Sequence, residues 1–171
     1  MPVISHVIAM TENMTLQFGD ESRQFLYRTA AVALNGDLVL LQRIGDANFW
    51  CLPGGRMEMG ETAMDGLRRE IREETTFDAD IGRLLWVVEN FYNDRGARIH
   101  EIGLYFLVRF DPVSAANAYR SEWTGKEEDG TDLTFRWWPV DDLGRSNLQP
   151  EFLRRALRKI PDAPEYVVNV A

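Results

Sequence analysis

GRMEMGETAMDGLRREIREETTF, residues 55–77, sets the reading of the whole chain. From Thr62 to Thr75 it reads as a helix of about four turns. At about 100° per residue, Leu67 and Ile71 form the buried stripe, with Ala63 at its edge. On the same projection Glu70 and Glu74 lie within about 40° of one another beside Ala63, and Glu73 lies about 60° round from Glu70. Arg68 and Arg72 point elsewhere. Like charges at i and i+4 repel by a few tenths of a kcal/mol, so a helix shaped only for solubility would interleave its charges. Three carboxylates converging beside an apolar stripe instead suit a hard divalent cation. Mg2+ in particular takes a few carboxylates plus substrate phosphate oxygens while keeping several waters. Such an ion polarises a phosphoryl group and activates water. Just upstream, Pro53-Gly54-Gly55 supplies residues without side chains, so backbone amides or a carbonyl can approach a ligand or metal. Taken singly, the glycines read as a plain turn and the glutamates as a solvated face.

The flanking sequence predicts mostly strands. Arg28 to Leu34 and Asp37 to Arg43 are apolar, β-prone runs joined by Asn35-Gly36, the dipeptide favoured in tight hairpins. Residues 49–56 follow as a Pro/Gly-containing loop. Further strands are expected at residues 81–92, 99–110 and 133–140, and a closing helix at 150–160 with the stripe Phe152, Leu153, Ala156, Leu157 and Ile160. Residues 114–132 are polar and aperiodic, which predicts a long loop or flap.

At 171 residues, with 45% apolar and 27% charged content, the chain is expected to form one compact domain. No run reaches the roughly 18 apolar residues of a membrane span, and residues 1–14 lack a basic start followed by an apolar stretch, so a cytoplasmic location away from membranes is expected. Cys51 is the only cysteine, which excludes an internal disulfide and leaves a buried or idle thiol as the simplest reading. A formal net charge of −8 argues against nucleic acid as a partner. A small phosphorylated ligand stays compatible with that charge if metal ions screen the encounter.

Gly55, five residues, Glu61, seven residues, then Arg69-Glu70-Ile71-Arg72-Glu73-Glu74-Thr75-Thr76-Phe77 strongly resembles the signature of the Nudix hydrolases: G, x5, E, x7, R-E-U-x-E-E-x-G-U, with U apolar. Each defined position is met except one, where Thr76 replaces the usual glycine. The resemblance implies an α/β fold, an α/β/α sandwich with a mixed β-sheet, over a single domain of residues 1–171, with 1–24 as an N-terminal extension or edge strand. It implies a Mg2+- or Mn2+-dependent hydrolase that cleaves the diphosphate linkage of a nucleoside diphosphate joined to another group, by attack of water on phosphorus. Carried over by position, Glu73 and Glu74 would bind metal with the Gly55 carbonyl. Glu70 would be a further ligand or would position the water. Arg69 and Glu61 match positions that pair and orient the carboxylate helix. Glycine at position 76 would cap the helix in the left-handed region, which a β-branched residue tolerates poorly, so an altered helix exit is expected.

Many family members recruit another acid from a distal loop. Glu122, Glu127 and Glu128 are available here, with Glu128 slightly favoured as a metal ligand. Glu101 beside His100 opens a strand and could face the site, although a charged pair at a strand entrance is more often surface. Tyr92 stands near the place where members acting on dinucleoside polyphosphates carry a tyrosine. Phe49, Trp50, Phe91, Trp137 and Trp138 offer aromatic faces, although aromatics in strands mostly pack the sheet. Two other readings share the fold: a catalytically silent nucleotide-binding or regulatory module, and a diphosphate isomerase, whose extra cysteine would have to be Cys51. A homodimer is compatible with the sequence.

Overall fold

The computed structural model describes residues 14–110, 122–127 and 129–171. Its organising feature is a hairpin that comes apart. Strands β2 (Arg23–Asn35) and β3 (Leu38–Ile44) are joined through Gly36, whose φ of 61° suits a residue without Cβ. They pair only at Leu34 with Val39 and at Asn35 with Leu38. Beyond that they splay, and the long hairpin expected from sequence becomes a short one. Residues 51–57 fill the gap as a wedge. Ala31 N–H donates to the Pro53 carbonyl at 2.8 Å, Thr29 N–H to Gly55 at 2.9 Å, and Met57 N–H to Tyr27 at 2.9 Å. On the β3 side, Gln42 and Cys51 exchange hydrogen bonds of 2.8 and 2.9 Å. The wedge therefore satisfies backbone groups that splaying would otherwise strand in the interior.

Outward from β2, strand β5 (Ala97–Phe110) pairs in parallel, β4 (Ala79–Asp94) antiparallel to β5, and β8 (Glu165–Val170) in parallel with β4. Outward from β3, β7 (Asp132–Pro139) and β6 (Trp123–Lys126) follow antiparallel. The order is β6-β7-β3-β2-β5-β4-β8, with β1 (Gln17–Gly19) added at the edge of β2. Helix α1 (Ala63–Thr75) covers one face, burying Leu67 and Ile71 against Ala31, Ala33, Leu40, Phe106 and Phe135. Residues 140–157 cover the other face, where Leu143, Leu148 and Leu153 pack on Val39, Leu41 and Trp86. This is the expected α/β/α sandwich around a mixed sheet. No helix among the described residues is long and apolar enough to cross a membrane.

Three expectations change. The closing helix shrinks to a single α-turn, α2 (Leu153–Ala156), because most hydrogen bonds around it run from residue i to i−3, the tighter 3₁₀ spacing. The region read as a loop contains β6, and a strand, β8, lies beyond the last element foreseen. The helix exit is not altered either. Thr76 itself takes the left-handed conformation, φ 65° and ψ 8°, and its N–H donates to the Arg72 carbonyl at 2.9 Å. Neighbours hold it there: Thr75 Oγ1 donates to Ile71 O at 2.6 Å and accepts from Phe77 N–H at 3.1 Å, while Phe77 packs between Phe110 and Trp123.

A non-glycine residue pays roughly 1–2 kcal/mol for the left-handed region, partly offset by the greater unfolded-state freedom of glycine. Thr76→Gly is therefore expected to raise unfolding stability by up to about 1 kcal/mol in urea titrations, with activity within a few fold of the parent. A net loss of stability would show that the threonine side chain contributes more than its strained backbone removes.

Candidate functional site

The wedge brings Gly55 against helix α1. A Cβ on Gly55 would fall 2.2 Å from the Glu70 carboxylate carbon, so only glycine allows that approach. Gly54, at φ 132°, is equally constrained, since a Cβ there would lie 2.3 Å from the Thr29 carbonyl oxygen. The Gly55 carbonyl accepts one hydrogen bond, from Thr29, and keeps a second lone pair. Facing it, Glu70 is largely buried, and burial raises its carboxyl pKa against the opposing pull of Arg69. Glu74 is only 3% exposed. Gln42 Nε2 donates to its Oε1 at 3.4 Å, and its Oε2 is buried without a hydrogen-bond partner. Burial, reinforced by the charges of Glu127 and Glu70, pushes the Glu74 carboxyl up to about 8. Glu73, the third glutamate, is mostly exposed and leans toward Arg69 at 3.2 Å.

Arg69 ties this helix to the loop before it. It grips Glu61 with two hydrogen bonds of 3.1 and 2.8 Å, and its Nη1 donates to Glu70 at 2.9 Å. Glu61 also accepts the Glu58 N–H at 2.7 Å. Room for this pairing comes from Gly66 inside the helix, where a Cβ would meet Glu61 Oε1 at 2.6 Å and Met57 Sδ at 2.8 Å. Arg68 and Arg72 point away, to Asp65 and Asp78, as the helical projection predicts.

The sequence reading missed Arg28. Its Nη2 donates to the Gly54 carbonyl at 2.9 Å, steadying the wedge, and its Nη1 lies 3.9 Å from Glu101. Glu101 is not surface: it is 3% exposed and accepts from Tyr92 Oη at 3.2 Å and Asn90 Nδ2 at 3.3 Å. Strand alternation carried the signal, since Leu26, next to Arg28 on the same face of β2, pairs directly with Glu101. His100 stands apart from the carboxylates, paired with Glu89 at 2.9 Å. Among the aromatics, Trp50 is buried under Arg43 and meets Trp138 edge-on, so both pack the sheet.

Among the described distal acids, Glu127 is the one whose charge acts on Glu74. Glu122 instead lies 3.9 Å from Arg136, and Glu128 lies outside the described residues. Gly125 accounts for the proximity of Glu127: a Cβ there would sit 2.0 Å from the Glu74 carbonyl oxygen, so β6 rests directly on the last turn of α1. The Cys51 thiol donates to the Gln42 carbonyl at 3.6 Å, and burial pushes its pKa up to about 12.

Among the described residues no three acidic, imidazole or thiol groups form a ready-made set of metal ligands. Mg2+ does not require one, since it binds through one or two carboxylates and keeps its waters. The residues present fit such an ion on two grounds. The available donors are all hard oxygens, and Glu74 Oε2 is a buried acceptor with nothing to accept.

Sheet order, covering helix and glycine-seated carboxylates together define a class of protein, and comparison with known chains agrees. Residues 25–160 match the NUDIX domain family. The chain belongs to that family. An uncharacterized Nudix hydrolase of Bacillus subtilis, YvcI, is 28% identical over 122 residues, 71% of this chain and 71% of its own length. An ADP-ribose pyrophosphatase of Methanocaldococcus jannaschii is 34% identical over 97 residues, 52% of this chain and 56% of the relative. Two other curated relatives are matched over only 25% of their length. In fold, the MutT protein from Bacillus halodurans superposes with a TM-score of 0.59 at 18% identity, over 85% of this chain and 89% of that one.

The raised Glu74 pKa fixes the sign of a pH effect. In chelator-treated protein, folding makes Glu74 take up a proton between its unfolded value, about 4.3, and its folded value near 8. This stability is fully present below the unfolded value and is lost as pH rises to about 8. Metal-free melts should therefore fall from mildly acid to mildly alkaline pH in the parent and flatten in Glu74→Gln. At alkaline pH without metal, Glu74→Gln and Glu70→Gln should melt no lower than the parent. Added Mg2+ should reverse that order, since an ion bound only by the folded state stabilises it by RT ln(1 + [L]/Kd). An equal metal response in parent and variants would remove these carboxylates from the site.

Proposed function

We propose that the chain hydrolyses the diphosphate linkage of a nucleoside diphosphate joined to another group, using Mg2+ or Mn2+ and attack of water on phosphorus. The observation that carries this reading is the unpartnered, buried Glu74 oxygen beside Glu70, on the helix face that meets Gly55. Glu74, Glu73, Glu70 and the free lone pair of the Gly55 carbonyl would hold the ion, with Glu127 as the added acid from the distal loop. When bound, the ion supplies Lewis-acid polarisation of a phosphoryl oxygen and acidification of water.

The rest is the work of this chain's own residues. Glu70, its basicity raised by burial, is placed to orient water or accept its proton. Arg69 holds Glu70 and Glu61 together, so the carboxylates keep their positions while charge changes around them. Gln42 holds one oxygen of Glu74 and leaves the other without a hydrogen-bond partner, free for a cation. The isomerase alternative is disfavoured by a Cys51 thiol that keeps its proton and is spent on a carbonyl. The silent-module alternative is disfavoured by the presence of all three helix glutamates.

A panel of ADP-ribose, sugar nucleotides, dinucleoside polyphosphates, capped RNA and oxidised nucleotides, assayed for phosphate-containing products with Mg2+ and with Mn2+, tests the reading. Absence of turnover on every class would favour a silent module. On the substrate so found, Glu74→Gln should lower kcat at least about a hundredfold with a smaller effect on KM, given that even outer partners of a metal site contribute about 10–100-fold. Parental activity in that variant would take Glu74 out of the metal shell. Glu127→Gln should lower activity where Glu122→Gln does not, and the opposite ranking would move the distal ligand.

A further inference from the structure

Away from the carboxylates, the far end of the sheet carries an arrangement that neither the core nor the hydrolytic site uses. Four rings stand side by side on neighbouring strands: Phe18 on β1, Phe25 on β2, His100 on β5 and Phe91 on β4, each directly paired with the next. Phe91 and His100 stack at 4.4 Å between centroids, His100 meets Phe25 edge-on at 5.4 Å, and Phe25 lies parallel to Phe18 at 6.2 Å. The row is open to solvent, with Phe18 52% exposed, so it is not core.

Two residues further along the same strands and on the same face, Arg23 and Arg98 stand directly opposite one another. Like charges across a strand pair destabilise it. Neither guanidinium has an ion-pair partner among the described residues. Asp20 feels the charge of Arg23 but spends its carboxylate on the amides of Ser22 and Arg23 and the Ser22 hydroxyl. A chain with a net charge of −8 has thus concentrated two unneutralised cations beside a row of rings. Together these groups line a groove of about 430 Å³.

We propose that this groove is a second nucleotide-binding site, in which a base stacks against the near-parallel rings of Phe18 and Phe25 and its phosphate sits between Arg23 and Arg98. Rings offer a stacking platform that tolerates any base, and paired guanidiniums answer a phosphate with charge-assisted, forked hydrogen bonds. Two strand residues separate the rows by about 6.6 Å, comparable to the reach from a nucleobase to its own 5′-phosphate. The proposal does not depend on the hydrolytic reading.

The test uses the full chain in chelator, titrated with AMP and separately with ribose 5-phosphate, followed by amide chemical shifts. AMP should saturate shifts at Phe25, Arg98 and His100. Arg23→Ala and Arg98→Ala, both changes at exposed positions, should each weaken AMP at least about tenfold. Phe25→Leu should weaken AMP by a similar factor while leaving ribose 5-phosphate unchanged, and Glu70→Gln should leave AMP binding as it is. Loss of AMP binding in Glu70→Gln, or unchanged affinity in both arginine variants, would overturn the proposal. A concentration-dependent dimer that Phe25→Leu dissociates would overturn it in favour of a second copy of the chain as the occupant.

Discussion

The seating of residues 51–57 between β2 and β3 is the constraint on which the rest of the molecule depends. Two strands that diverge leave inward-facing amides and carbonyls with no partner, and each such group left bare in the interior destabilises by roughly 1–3 kcal/mol. The wedge supplies the partners. Its seating requires Gly54, where a Cβ would overlap the Thr29 carbonyl, and Gly55 leaves room for the Glu70 carboxylate beside it. One solution thus satisfies the backbone and delivers a carbonyl and a carboxylate to the same place. Arg28 completes it from beneath by holding the Gly54 carbonyl.

Against that fixed edge the helix carries a charge pattern poor for stability and good for chemistry. Glu74 is buried near Glu70 and Glu127, and all three carboxyls are shifted upward, chiefly by desolvation and then by repulsion among acids, which the fold tolerates. Arg69 limits the damage by neutralising the outer members of the cluster, Glu61, Glu70 and Glu73, while leaving Glu74 alone. A locally unfavourable arrangement maintained by its surroundings is the common signature of a functional site.

How legible this was in the sequence follows from the range of each interaction. Helix α1, its buried Leu67 and Ile71 and its outward Arg68 and Arg72 followed from a 3.6-residue period, which is local information. The places of the central strands along the chain, read from alternating apolar runs, were equally local; their order in the sheet was not. The wedge was not, because nothing in residues 28–43 announces that the two strands part after Leu34. Arg28 and Glu101 come together only through strand register across the sheet, and Glu127 meets Glu74 only because Gly125 lets β6 lie on the helix. Thr76 shows the converse limit. Its intrinsic preference argued for a different exit, and the packing of Phe77 with the Thr75 hydroxyl overrode it.

The parallel pairing of β2 with β5 carries a consequence for how the chain comes to exist. Arg23 pairs with Arg98 and Ala33 with Val108, so residues 23–33 of β2 each wait for a partner 75 positions further along. The helix and its glutamates, made in between, are synthesised before the sheet that supports them can close. Contacts between such distant segments form late, because the entropy of closing a long loop must be met before the pairing rewards it. The three glutamates are therefore solvated side chains on an open chain when first made, and they become a site only once β5, and then β6 with Glu127, are made and the strands lock.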